Sequence, residues 1–99
     1  MKVRFLTVAL AELEEAVAHY NSESPGLGYE FADEIFRTIR RVQANPLAWQ
    51  SLSRRTRRCL ANRFPYGVVY QVREDVLLVV AIMHLHRYPA AWMVRLQQA

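Results

Sequence analysis

Much of what marks a metalloprotein, a nucleotide-binding enzyme or a disulfide scaffold is missing from this chain. There is one cysteine, Cys59. No internal disulfide is possible, which suits a reducing compartment. Lysine is nearly absent: twelve of the thirteen basic residues are arginine. Long hydrophobic runs are absent too. The longest, Val76 to Met83, is eight residues, against roughly 20 for a membrane-spanning helix. No apolar run follows Lys2 and Arg4 to form a signal peptide. The expected location is therefore cytoplasmic, away from any membrane. The Gly- and Pro-containing stretch NSESPGLG (Asn21 to Gly28) holds neither G-x-G-x-x-G nor a Walker pattern, so it does not argue for phosphate binding. There is no H-E-x-x-H, no Cys/His cluster and no glycosidase-like acid pair, because the acids cluster near the N-terminus. No metal and no cofactor are expected.

What is present is a hydrophobic fraction of 53% and a charged fraction of 22%, which excludes general disorder. At 99 residues the chain reads as one domain, 1–99, with a single modest core. Its charge is segregated. Residues 1–34 hold two basic and seven acidic residues, net −5, while residues 35–99 hold eleven basic and two acidic, net +9. Arginine grips phosphate or carboxylate with a planar fork that lysine lacks. A polyanion or an acidic protein is thus the expected partner of the C-terminal half. Arg57 to Arg95 organises that half, with the most apolar run and two of the three histidines.

In chain order, Val3 to Thr7 alternates like a short strand, and Thr7 can cap a helix. Val8 to Asn21 is predicted as an amphipathic helix with Leu13, Ala16, Val17 and Tyr20 inward, and with Glu12, Glu15 and His19 outward. Glu15 and His19 form a surface pair. After the break at NSESPGLG, Tyr29 to Ala44 is a second helix with Phe31, Ile35, Ile39 and Val42 as its buried stripe. An Asp33–Arg37 pair lies on its surface, and Asn45-Pro46 ends it. Leu47 to Thr56 has no clear period. From Arg58 the pattern turns to strands. Pro65-Tyr66-Gly67 reads as a turn or bulge, and Val68 to Arg73 alternates. Glu74-Asp75 is a tight hairpin turn, and Val76 to Met83 is a central strand apolar on both faces. His84 to Arg95 ends that strand and starts a C-terminal helix. The fold class is α+β, in the order β-α-α-β-β-β-α, with a helical hairpin on one face of a small, mainly antiparallel sheet.

Four arginines in five positions, Arg54, Arg55, Arg57 and Arg58, are the densest charge. Solvated surface is the plain reading; a phosphate contact is the sharper one. Arg58, Arg63, His84, His86 and Arg87 are candidates for holding charge and moving protons at a phosphoryl group. Tyr66, Tyr70 and Trp92 are candidates for stacking a base, with Arg54, Arg55 and Arg95 as further binding groups. The plain reading of the tyrosines and Trp92 is core. His84 and His86 are expected on opposite sides of the strand end, which argues against a metal site. Cys59 lies among arginines, whose charge lowers a thiol pKa, although a lone strand cysteine is ordinarily structural.

The order of elements, the GLGYEF…NP…W spacing, RFPYGVVYQV, and a strand ending in H-x-x-R-x-P-x-x-W (His84, Arg87, Pro89, Trp92) together resemble the RelE/ParE superfamily of toxins from bacterial type II toxin–antitoxin, or plasmid-stabilisation, modules. The resemblance spans nearly the whole chain. It implies a small growth-inhibiting toxin silenced by a cognate antitoxin that lays a segment over its sheet and groove. One branch of the superfamily cleaves mRNA on the ribosome without a metal. Arg58 keeps one basic position of that branch. A second falls at Leu60, an arginine position at Gly67, a further arginine at or near His86, and the terminal tyrosine at Trp92. Losing one charge-stabilising donor costs on the order of 10²–10³ in rate, so the departures point to the other, ParE-like branch, which poisons DNA gyrase by binding. A variant RNase site built on His84, His86 and Arg87 is the alternative, and a non-toxic nucleic-acid-binding or interaction domain a third reading.

Overall fold

A computed structural model describes residues 1–86 together with Met93 and Arg95. Its elements are β1 (Lys2–Phe5), α1 (Thr7–Glu23), α2 (Leu27–Ala44), β2 (Gln50–Ser51), β3 (Thr56–Leu60), β4 (Tyr66–Arg73) and β5 (Val76–His84). The strands form one sheet in the order β1-β5-β4-β3-β2. β1 runs parallel to β5 and the other pairs are antiparallel. The expected α+β architecture is present, with the helical hairpin against one face of the sheet and a two-residue edge strand, β2, added. The expected C-terminal helix lies almost wholly outside the described residues; Met93 and Arg95 are helical. No described helix is long and apolar enough to cross a membrane.

The helices form where their apolar stripes meet the sheet. Ala9, Leu13 and Ala16 of α1 and Phe31, Ile35, Ile39 and Val42 of α2 pack with Cys59, Val68, Tyr70, Leu77, Val79 and Ile82. This stripe of α1 begins a turn earlier than the sequence suggested. That shift brings Glu12, which lies three residues from Ala9 and four from Ala16, to the edge of the buried face rather than outward. Thr7 is the first helical residue, not the cap. Leu6 holds the cap position without a side-chain bond, since an aliphatic side chain offers no acceptor; its N–H donates to the Val79 carbonyl at 3.0 Å. His19 pairs with Glu23 at 3.1 Å rather than with Glu15. Arg37 pairs with Glu34 at 3.3 Å rather than with Asp33. Glu34 lies on the buried stripe, its side chain only 7% exposed, so its carboxylate needs donors, and it also accepts the Asn62 N–H.

The hairpin closes tightly at Gly28. Its N–H donates to Asn21 Oδ1 at 2.8 Å, and a Cβ there would stand 2.1 Å from the Val17 carbonyl oxygen. Gly26, at φ 87°, makes the left-handed turn that starts α2.

β4 and β5 pair through the two-residue turn at Glu74-Asp75, as expected. Pro65 lies in a tight turn, with the Tyr66 N–H bonded to the Phe64 carbonyl at 2.7 Å, and β4 begins at Tyr66; the bulge is elsewhere. It is in the β5 register: Tyr70 faces Val79 and Val69 faces Ala81, leaving Val80 as an extra residue. Side chains alternate along a strand, so this one residue switches the faces. Leu77, Val79 and Ile82 join the helix-side core. Leu78, Val80, Ala81 and Met83 join Val69 in a second cluster on the other face, with Leu6, Leu52 and Leu85 packed on it. Both faces of β5 are thus buried.

Candidate macromolecular interface

Arg58 projects from β3 on the face away from the helices. Its register partner is Val69, a member of the second cluster. Its aliphatic stem lies over Gly67, where a Cβ would be 3.0 Å from Arg58 Cγ and Cδ. A side chain at that position would require the Arg58 stem to shift. The guanidinium Nη2 donates to Gln50 Oε1 at 2.8 Å, while Nε is buried without a partner among the described residues. Next along β3, Leu60 is paired with Gly67 and stays 46% exposed. Beyond it Gln71 Nε2 donates to Thr56 Oγ1 at 3.0 Å, and Gln71 Oε1 accepts from Arg73 Nε at 2.9 Å. Two of the positions at which the resemblance expects further charge, Leu60 and Gly67, are therefore adjacent, and both are uncharged.

The other candidates are divided among separate places. Arg63 sits in the loop after β3 and pairs with Glu30 of α2 at 2.6 Å, its guanidinium over the Phe64 ring. Tyr66 is buried and packs edge-on against Phe31, with ring centroids 4.8 Å apart. His84 packs against Tyr66 at 5.1 Å, on the helix side. The bulge at Val80 put it there; an unbroken alternation from Leu78 would have aimed it to the face of Arg58. His86 is exposed, yet its ring is 5.7 Å from that of His84 and its N–H donates to His84 Nδ1 at 3.1 Å. The expectation of opposite sides was mistaken, since residues two apart on a strand share a face. Arg87 and Trp92 lie outside the described residues.

Arg95 is engaged within the fold. Its Nη1 and Nη2 grip Glu12 Oε1 and Oε2 at 2.7 and 2.9 Å, and Nη1 also reaches the Val80 carbonyl at 3.2 Å. Glu12 Oε1 accepts the Ile82 N–H at 3.1 Å. The pair thus serves backbone groups of β5 beyond Val79, the last residue that β1 pairs with. Nothing in the spacing of Glu12 announced this, because its partner is more than eighty positions away.

Tyr70 is buried on the helix side opposite Arg57, and its hydroxyl donates to the Pro46 carbonyl. Burial pushes its pKa up to about 12, with Arg57 opposing and Cys59 adding to the rise. The sign follows from which state ionises first. The unfolded phenol loses its proton near pH 10 while the folded one holds it to about 12, so stability falls as pH rises through that window. Tyr70→Phe is expected to flatten the loss of stability between pH 10 and 12, read by denaturant midpoints. An unchanged slope would refute the assignment. Burial also raises the Cys59 thiol pKa, with Arg41 lowering it less, so the expected activation by arginines is outweighed.

Arg54 and Arg55 are exposed in the loop between β2 and β3. With Arg57, Arg73, Leu47 and Val72 they surround a cleft of about 510 Å³ above Tyr70. The sequence marked Arg54 and Arg55, but missed Arg73 and Leu47, which the hairpin end and the loop after α2 bring to the same place.

Comparison with known proteins matches residues 3–88 to a family model described as the ParE toxin of the type II toxin–antitoxin system parDE. Among solved structures, one from a chromosomal ParDE toxin–antitoxin system of P. aeruginosa superposes with a TM-score of 0.76 at 20% identity, covering 87% of this chain and 97% of that one. No curated protein matches.

Proposed function

This chain belongs to the ParE toxin family of type II toxin–antitoxin systems, and from that membership we propose that it inhibits growth by binding DNA gyrase until a cognate antitoxin neutralises it. The alternative target, mRNA on the ribosome, requires charge and proton-transfer groups gathered on one surface. The observation that carries the proposal is their dispersal. On the face of Arg58, the neighbouring pair is Leu60 and Gly67. Arg63 is neutralised by Glu30 on the helix side, and the bulge at Val80 turns His84 to that same side. Among the described residues, a guanidinium with no acid–base group beside it makes a poor nuclease. Induction without antitoxin should arrest growth and leave plasmid DNA relaxed with mRNA whole. Arrest with cleaved mRNA and normal supercoiling would sink the gyrase reading, and harmless induction would sink the toxin reading.

A further inference from the structure

We propose that the cleft bounded by Arg54, Arg55, Arg57 and Arg73 docks an acidic peptide segment of the toxin's protein target. The inference rests on the reading that the protein acts by binding another protein, and names the surface that does so.

Elsewhere among the described residues, the positions of most arginine side chains are fixed by acids or carbonyls. Arg37 and Arg63 face Glu34 and Glu30, Arg95 faces Glu12, and Arg41 donates to the Leu60 carbonyl. The cleft differs. None of its four arginines is ion-paired among the described residues, although Glu74 stands at its edge. Two of the four are held by neutral acceptors. Arg57 Nη1 donates to the Trp49 carbonyl at 2.8 Å, and Arg73 Nε donates to Gln71 Oε1 at 2.9 Å. Each keeps guanidinium N–H groups for a ligand while its stem is fixed, so less freedom is lost on binding. Arg54 and Arg55 are exposed in the loop beside them.

The shape and lining select the ligand class. A single-stranded nucleic acid wants exposed aromatic rings to stack its bases, but the ring in this cleft, Tyr70, is 1% exposed. The duplex backbone is convex and suits a basic track more than a recess of about 510 Å³. Carboxylates take the arginine forks in pairs, and the apolar lip fits aliphatic side chains set between them. Leu47 is 72% exposed and Val72 37%, apolar surface that such a side chain would cover.

The test uses the purified full-length chain, a labelled peptide alternating Glu and Leu, its Gln-for-Glu counterpart, and single-stranded and duplex DNA. Arg54→Ala/Arg55→Ala is the variant; both side chains are exposed, so its melting temperature should match wild type. The wild type should bind the Glu peptide in preference to the Gln peptide and to either DNA, and the variant should lose about tenfold or more, the scale of one charge-assisted bond. Its inhibition of gyrase supercoiling should weaken in step. Equal peptide affinity in the variant, or preference for either DNA, overturns the proposal, as does supercoiling inhibition that the variant leaves unchanged. If the wild type itself leaves gyrase untouched, the gyrase reading fails, and the peptide measurement alone then decides for or against the cleft.

Discussion

Gly28→Ala is expected to destabilise the fold by about 3 kcal/mol, the upper part of the usual range for forcing atoms into a packed site. The sign is what makes the test sharp. In an exposed helix, Gly→Ala stabilises by about 0.8–1 kcal/mol through propensity alone. Here the added methyl would stand 2.1 Å from the Val17 carbonyl oxygen and 2.7 Å from Asn21 Cγ. The first of these is backbone, so it moves only if α1 and α2 separate. Separation would also stretch the bond from the Gly28 N–H to Asn21 Oδ1 and loosen Phe31 and Ile35 from the shared core. For a domain of this size about 4–8 °C of melting temperature goes with each kcal/mol, so a fall of more than about 10 °C is expected. A melting temperature equal to or above wild type would show that the hairpin is not closed as described.

Glu12→Ala is the second large effect, about 2–3 kcal/mol. Removing one partner of a buried ion pair costs about 3–5 kcal/mol, and the figure is reduced here because Glu12 is 28% and Arg95 16% exposed. The loss has two parts. Arg95 keeps its charge with only the Val80 carbonyl, among the described residues, left to it, and the Ile82 N–H loses its acceptor. Glu12→Gln separates them, since an amide oxygen still accepts from Ile82 but no longer neutralises Arg95; it should cost less than the alanine change. Glu14→Ala, at an exposed position of the same helix, should stay within about 0.5 kcal/mol of wild type. Denaturant midpoints for the three variants give the ranking, and amide exchange at Ile82 should quicken in Glu12→Ala. A Glu12→Ala cost no larger than that of Glu14→Ala would mean the pair only decorates the surface.

Both residues show where the sequence stopped being readable. Local signals carried well. The stripe of Phe31, Ile35, Ile39 and Val42, the Asn45-Pro46 stop and the Glu74-Asp75 turn each depend on neighbours a few positions away, and each is found in the fold. The joint order of loose motifs carried the family. Long-range pairings did not carry. Glu12 reads as one of several helix-surface acids until β5 and Arg95 are brought to it, and Arg63 reads as free until Glu30 faces it. The bulge at Val80 was hidden for a different reason. Val76 to Met83 is apolar throughout, so an inserted residue disturbs no alternation. The side on which His84 emerges, and with it the make-up of the face around Arg58, could not be counted from the run. The arginine cleft was half legible: the dense run flagged Arg54 and Arg55, while Arg73 joins only through the strand pairing of β3 with β4.

The most direct measurement is plasmid supercoiling by purified DNA gyrase, titrated with wild-type protein and with Arg58→Ala, beside the integrity of an mRNA in a translating extract. Both proteins should inhibit supercoiling to a similar extent and leave the mRNA whole. Undisturbed gyrase together with mRNA that is cut by the wild type and spared by Arg58→Ala would contradict a toxin that acts by binding, and would assign the face of Arg58 to nuclease chemistry.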